Sequence, residues 1–112
     1  MTPIPDKPGH YAVQAGETIT IRITEPNDAQ DKVNCTWNGK PQPPQSINDP
    51  FTRTIGAQDP NPCTLGITVH FFDKKGGSFV VVLSGDKNGD PHRDAVEKGG
   101  SFANIVYWFD RA

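Results

Sequence analysis

Glu17-Thr18-Ile19-Thr20-Ile21-Arg22-Ile23-Thr24 alternates polar and apolar side chains without a break. Side chains of an extended chain point to opposite faces in turn. Ile19, Ile21 and Ile23 therefore share one face, and Thr18, Thr20, Arg22 and Thr24 share the other. That is the pattern of a half-buried β-strand. The same period recurs downstream. Val33, Cys35 and Trp37 alternate up to Asn38-Gly39, and Leu65, Ile67, Val69 and Phe71 share a face opposite His70. Phe79, Val81 and Leu83 then stand against Val80 and Val82. Phe51 to Ile55 reads as a weaker strand and Tyr11 to Val13 as a short edge strand. Phe102 to Phe109 is apolar on both faces, which predicts a central strand.

The breaks agree with this reading. Pro26-Asn27-Asp28, the prolines at 41, 43, 44 and 50, and Asp73-Lys74-Lys75-Gly76-Gly77 carry turn chemistry. Residues 73–77 read as a hairpin turn and 85–100 as a long polar loop, in which Asp94 to Lys98 has room for one helical turn at most. Eleven Gly and eleven Pro among 112 residues favour many turns over long helices. The expected fold is all-β: an antiparallel two-sheet β-sandwich, immunoglobulin-like or jelly-roll-like, in one domain over residues 1–112. The immunoglobulin signature itself is missing. Cys35 and Trp37 lie on one strand, and Cys63 follows Cys35 by only 28 residues. The two cysteines are either free thiols or a disulfide, and neither alternative supplies a zinc site.

Composition excludes several function classes. The net charge is −2, without a basic stripe, so neither nucleic acid nor an anionic membrane is an expected partner. No apolar run reaches the roughly 20 residues that span a bilayer. Met1 to Gly9 lacks the apolar core of a signal peptide. The expected location is cytoplasmic, or secreted without a visible signal peptide. His10, His70 and His92 are far apart, and no nucleophile elbow, phosphate loop or Cys–His pair is present. The chain reads as a non-enzyme.

With successive strands antiparallel, loops 26–32, 56–63 and 85–100 are expected to share one end. That end would gather Asp28, Asp31, Asp59, Asp86, Asp90, Asp94 and Glu97, with the amides Asn27, Asn61 and Asn88: seven of the thirteen acidic residues. Asp86-Lys87-Asn88-Gly89-Asp90 places oxygen donors at alternate positions, as calcium loops do. Counted from Asp86, Asp94 is ninth and Glu97 twelfth, which are ligand positions in an EF-hand loop. Pro91 stands where that loop needs Gly, and Arg93 where it wants an apolar residue, so this is not an EF-hand. The loop is a candidate calcium site with Asp86, Asn88, Asp90, Asp94 and Glu97 as ligands. Asp59, Asn61 and His92 are expected beside it as ligand-binding residues. A solvated turn is the alternative.

Two short stretches carry a resemblance. Ala15-Gly16-Glu17-Thr18-Ile19-Thr20-Ile21, and Gly100-Ser101-Phe102 opening the last strand after an Asp-bearing loop, resemble the small calcium-dependent galactose-binding lectins of bacteria. Glu97-Lys98 stand where that family carries paired Asn. The resemblance implies a short β-sandwich in which calcium bridges protein and sugar hydroxyls, with Asp86 as a calcium ligand. The expected function is a non-enzymatic binding module for a carbohydrate or another small polar ligand at the acidic loop end, with calcium as a candidate bridge. The alternative is a protein-interaction or structural domain without metal, working through a sheet face or an edge strand. Self-association is open in both.

Two further features await the fold. Lys75-Gly76-Gly77-Ser78-Phe79 recurs as Lys98-Gly99-Gly100-Ser101-Phe102, which reads as two similar entries into strands whose Phe begins the buried face. Trp37, Trp108, Tyr107, Phe71 and Phe72 form either core or a ligand-stacking face. Phe72 and one of Tyr107 or Phe109 are the expected exposed rings.

Overall fold

The computed structural model describes residues 1–25, 31–71, 77–87, 89 and 91–111, with Lys98 by its backbone alone. Among these residues the strands are β1 (Thr2–Pro3), β2 (His10–Val13), β3 (Thr18–Thr24), β4 (Lys32–Trp37), β5 (Lys40–Pro41), β6 (Gln45–Ser46), β7 (Phe51–Thr54), β8 (Cys63–His70), β9 (Gly77–Gly85), β10 (His92–Lys98) and β11 (Phe102–Arg111). No helix occurs among them, and none is long and apolar enough to cross a membrane.

The strands form an all-β sandwich of two sheets. The larger runs β1-β2-β11-β8-β4-β5, with β6 also on β4, and the smaller runs β10-β9-β3-β7. All pairs are antiparallel except β2 with β11, which is parallel. The inner faces supply the core, as the alternation dictates. Ile19, Ile21 and Ile23, Leu65, Ile67 and Val69, and Phe79, Val81 and Leu83 are all buried. Each such side chain contributes roughly 1.5–3 kcal/mol by leaving water. β11 lies between β2 and β8, so it is central, as its apolar character requires. Glu17 is also buried. Its carboxylate accepts from the Met1 ammonium at 3.0 Å and from the Gln14 amide at 3.0 Å, so the charge is compensated inside the core.

Several expectations need correction. Tyr107 and Phe109 are both buried, because Ala103, Ile105, Tyr107 and Phe109 form the inward face of β11. Phe102 is 53% exposed on the outward face, so the repeated Lys-Gly-Gly-Ser-Phe does not begin a buried face twice. β8 and β9 belong to different sheets and do not pair with each other, and most of the expected hairpin turn at 73–77 lies outside the described residues. Half of the supposed loop 85–100 is strand. β10 pairs with β9 from His92↔Leu83 to Lys98↔Gly77, and Asp94 to Lys98 makes no helical turn. β2 is flanked by β1 and is not the sheet edge. Of the two alternatives for the cysteines the first holds: Cys35 and Cys63 are free thiols, both buried.

The grouping of loops also changes. β5 and β6 carry the Pro-rich segment back along β4, from Trp37↔Lys40 to Lys32↔Ser46. This unforeseen return strand reverses the parity. Thr24 ends opposite Val80 and Lys32 begins opposite His70, so the residues bracketing 26–30 lie at the end away from Asp86. Asp31 is at that far end, buried, where its carbonyl accepts from Ile47. Loops 56–62 and 85–91 do share an end, because Gly85 opposes Ile19 and Thr54 opposes Thr18.

Candidate functional site

Asn88 and Asp90 lie outside the described residues. Asp86 follows β9 directly, and its Oδ1 accepts from the Thr18 amide at 2.9 Å, extending the pairing of β3 with β9. Asp59 closes a turn by accepting from the Gly56 amide at 2.7 Å. Asn61 uses both ends of its amide on the Arg111 backbone, at 2.8 Å each, which ties its loop to the end of β11. His92 Nε2 lies 3.3 Å from the Met1 carbonyl, and its ring is 5.1 Å from that of Tyr11. Asp94 accepts from the Tyr107 hydroxyl at 2.8 Å. Glu97 is exposed on β10 opposite Ser78. Asp94 and Glu97 are three residues apart on a strand and so point to opposite faces. One cation cannot take both in the manner the loop spacing implied. Among the described residues, no group of three or more His, Cys, Asp or Glu could hold a metal ion.

Asp59, Asn61, Asp86 and Asp94 tie neighbouring segments of the fold together. Burial, followed by the hydrogen bond and charge of Asp94, raises the Tyr107 phenol well above its ordinary range. Burial and Asp94 raise that of Tyr11. Burial pushes the Cys35 thiol up to about 11, against a lowering by Arg53, and raises that of Cys63. Neither cysteine is a thiolate nucleophile near neutral pH.

The outer face of the larger sheet is different in kind. Register aligns three strands into rows across it. Asn34, Thr68 and Asn104 make one row, and Thr36, Gly66 and Val106 the next. Gly66 leaves a notch in the second row. A Cβ there would stand 2.6 Å from the Thr36 hydroxyl, inside any normal contact. The result is a groove of about 330 Å³ whose walls include Asn34, Thr36, Thr68 and Asn104, with Pro41 and Val106 as apolar surface.

The Thr68 hydroxyl donates to Asn104 Oδ1 at 2.6 Å, which turns the Asn104 Nδ2 donors away from that bond. Among the described residues, neither the Asn34 amide nor the Thr36 hydroxyl has a hydrogen-bond partner. At the loop end Asp59, Asn61, Asp86 and Asp94 each hold a hydrogen bond within the fold; here the Asn34 amide and the Thr36 hydroxyl are available. Toward the Asp86 end, Trp108 bounds this face, stacked on His10 at 4.6 Å with the planes 7° apart. His10 Nδ1 in turn lies 2.9 Å from Asp110.

Sequence reasoning did not join Asn34, Thr36, Thr68 and Asn104 into one ligand site. Their signal was the polar half of each alternating strand, which carries no chemistry until pairing aligns it. No family model, curated protein or solved structure matches the chain.

Proposed function

We propose that this chain is a non-enzymatic carbohydrate-binding module whose site is the groove on the outer face of the larger sheet. The observation that carries the reading is the row Asn34–Thr68–Asn104 beside the Gly66 notch. Amides and hydroxyls with unused capacity match the paired donors and acceptors of vicinal sugar hydroxyls. Val106, 45% exposed, and Pro41 offer surface to the C–H face of a sugar ring. A few placed polar groups on a largely apolar concavity are the usual make-up of a small-ligand site.

The reading does not require calcium. Of the five expected metal ligands, Asp86 and Asp94 are engaged within the fold, Glu97 faces away from Asp94, and Asn88 and Asp90 are not described. A glycan array run with calcium and with chelator tests both points. Binding is expected in both conditions, with Asn34→Ala and Asn104→Ala each weakening it at least about tenfold, the worth of roughly one hydrogen bond. Binding lost with chelator, together with a melting temperature that rises in calcium, would return the site to the Asp86 loop. No bound glycan in either condition refutes the carbohydrate reading. Phe102 and Val106, both exposed on this face, favour a protein ligand as the second reading.

A further inference from the structure

The polar groove does not stand alone. Beyond Asn34 it meets a second concavity of about 430 Å³, lined by Lys32, Asn34, Pro44, His70 and Phe71. Asn34 belongs to both. Lys32 and His70 are direct cross-strand partners on β4 and β8, both exposed, and Phe102 of β11 completes their row. This row is two residues along the strands from Asn34–Thr68–Asn104, about 6.6 Å. That is close to the breadth of one pyranose ring with its substituents.

The charges here run against the rest of the molecule. The chain carries a net −2, yet no Asp or Glu is among the described residues lining either concavity. Lys32 forms no ion pair among the described residues. Its ammonium lies 3.5 Å from the Ser46 hydroxyl, too far for more than a weak hydrogen bond, which leaves donors to spare. Pro44 and Phe71 supply apolar surface beneath, and a cation at the edge of a low-dielectric wall attracts an anion more strongly than one in open water.

We infer that the ligand is an acidic oligosaccharide. One sugar unit lies over the Asn34–Thr68–Asn104 row, and the carboxylate of the neighbouring unit lies between Lys32 and His70. This rests on the carbohydrate reading above and adds the charge of the ligand and the direction in which it lies.

The test uses matched neutral and carboxylate-bearing pairs: galactan and galacturonan trimers, mannan and mannuronan trimers, and lactose with sialyllactose. Calorimetry on the whole chain reads each affinity. At least one acidic member is expected to bind about tenfold or more tightly than its neutral partner. Its methyl ester should lose that advantage, and raising the salt from low to molar concentration should weaken the acidic member alone. Lys32→Gln and His70→Gln, both surface changes, should bring the acidic-to-neutral ratio within about threefold. Equal affinity for acid and neutral partner, or a ratio that survives both substitutions, overturns the acidic-ligand inference and leaves the carbohydrate reading standing. No binding by any of these sugars or on the glycan array overturns both.

Discussion

Tyr107 does two jobs from one position. Its ring fills the core between the sheets, and its hydroxyl crosses to Asp94 on the edge strand of the smaller sheet. The two contributions separate by substitution. Tyr107→Phe keeps the ring and removes one hydrogen bond to a carboxylate that is itself exposed, so a loss of about 1–1.5 kcal/mol is expected in urea unfolding. Tyr107→Ala also opens a cavity and should cost about 3–5 kcal/mol. If Phe costs as much as Ala, the hydroxyl rather than the ring dominates, and the account of this seam is wrong. The inward direction of Tyr107 was readable only once Ala103, Ile105 and Phe109 were known to share its face. A strand apolar on both sides does not announce which side faces the core.

At the level of elements, β8 carries the proposed site because it carries the gap. Gly66 is the residue without a side chain in the row between Thr36 and Val106, and the groove exists where that side chain is missing. Gly66→Val should fill the notch and reduce carbohydrate binding at least about tenfold. The fold should survive, because the clashing Thr36 hydroxyl can rotate aside and Val suits a strand. Circular dichroism and calorimetry read the two outcomes, and undiminished binding would remove the groove from consideration.

The strands most visible in the sequence, β3, β8 and β9, are those that bury a complete face. β10 was hidden because it is an edge strand. Of its residues only Val96 packs against the core, while Arg93, Asp94 and Glu97 give it a loop's composition. Such charges also discourage a second chain from pairing with the open edge. β5 and β6 were hidden by Pro41, Pro43 and Pro44, and missing them sent Asp31 to the wrong end.

For the molecule as a whole, burial of acids sets a limit on the alkaline side. The native state holds the Cys35 thiol protonated up to about 11, and raises the Cys63, Tyr11 and Tyr107 groups as well. In the unfolded chain these groups ionise at their ordinary, lower values. The unfolded state therefore binds fewer protons above about pH 9, and stability falls as pH rises from there. Below that pH both states are protonated and these groups contribute nothing to the slope. Urea midpoints at pH 8, 10 and 11 should decline in that order, and Cys35→Ala should flatten the part between 9 and 11. Midpoints that stay constant across this range would contradict the burial of these groups.

The parallel pairing of β2 with β11 joins His10 to Trp108, nearly the full length of the chain apart. β11 also separates β2 from β8 in the middle of the larger sheet. During synthesis, residues 1–101 emerge from the ribosome while the strand that belongs at the centre of that sheet is still being made. The larger sheet must then close only once Phe102–Arg111 is available, through contacts of very high sequence separation. Such topologies fold slowly, in milliseconds to seconds. Until Phe102–Arg111 is free, β2 and β8 each present an unpaired edge, the kind of surface through which incomplete β domains aggregate.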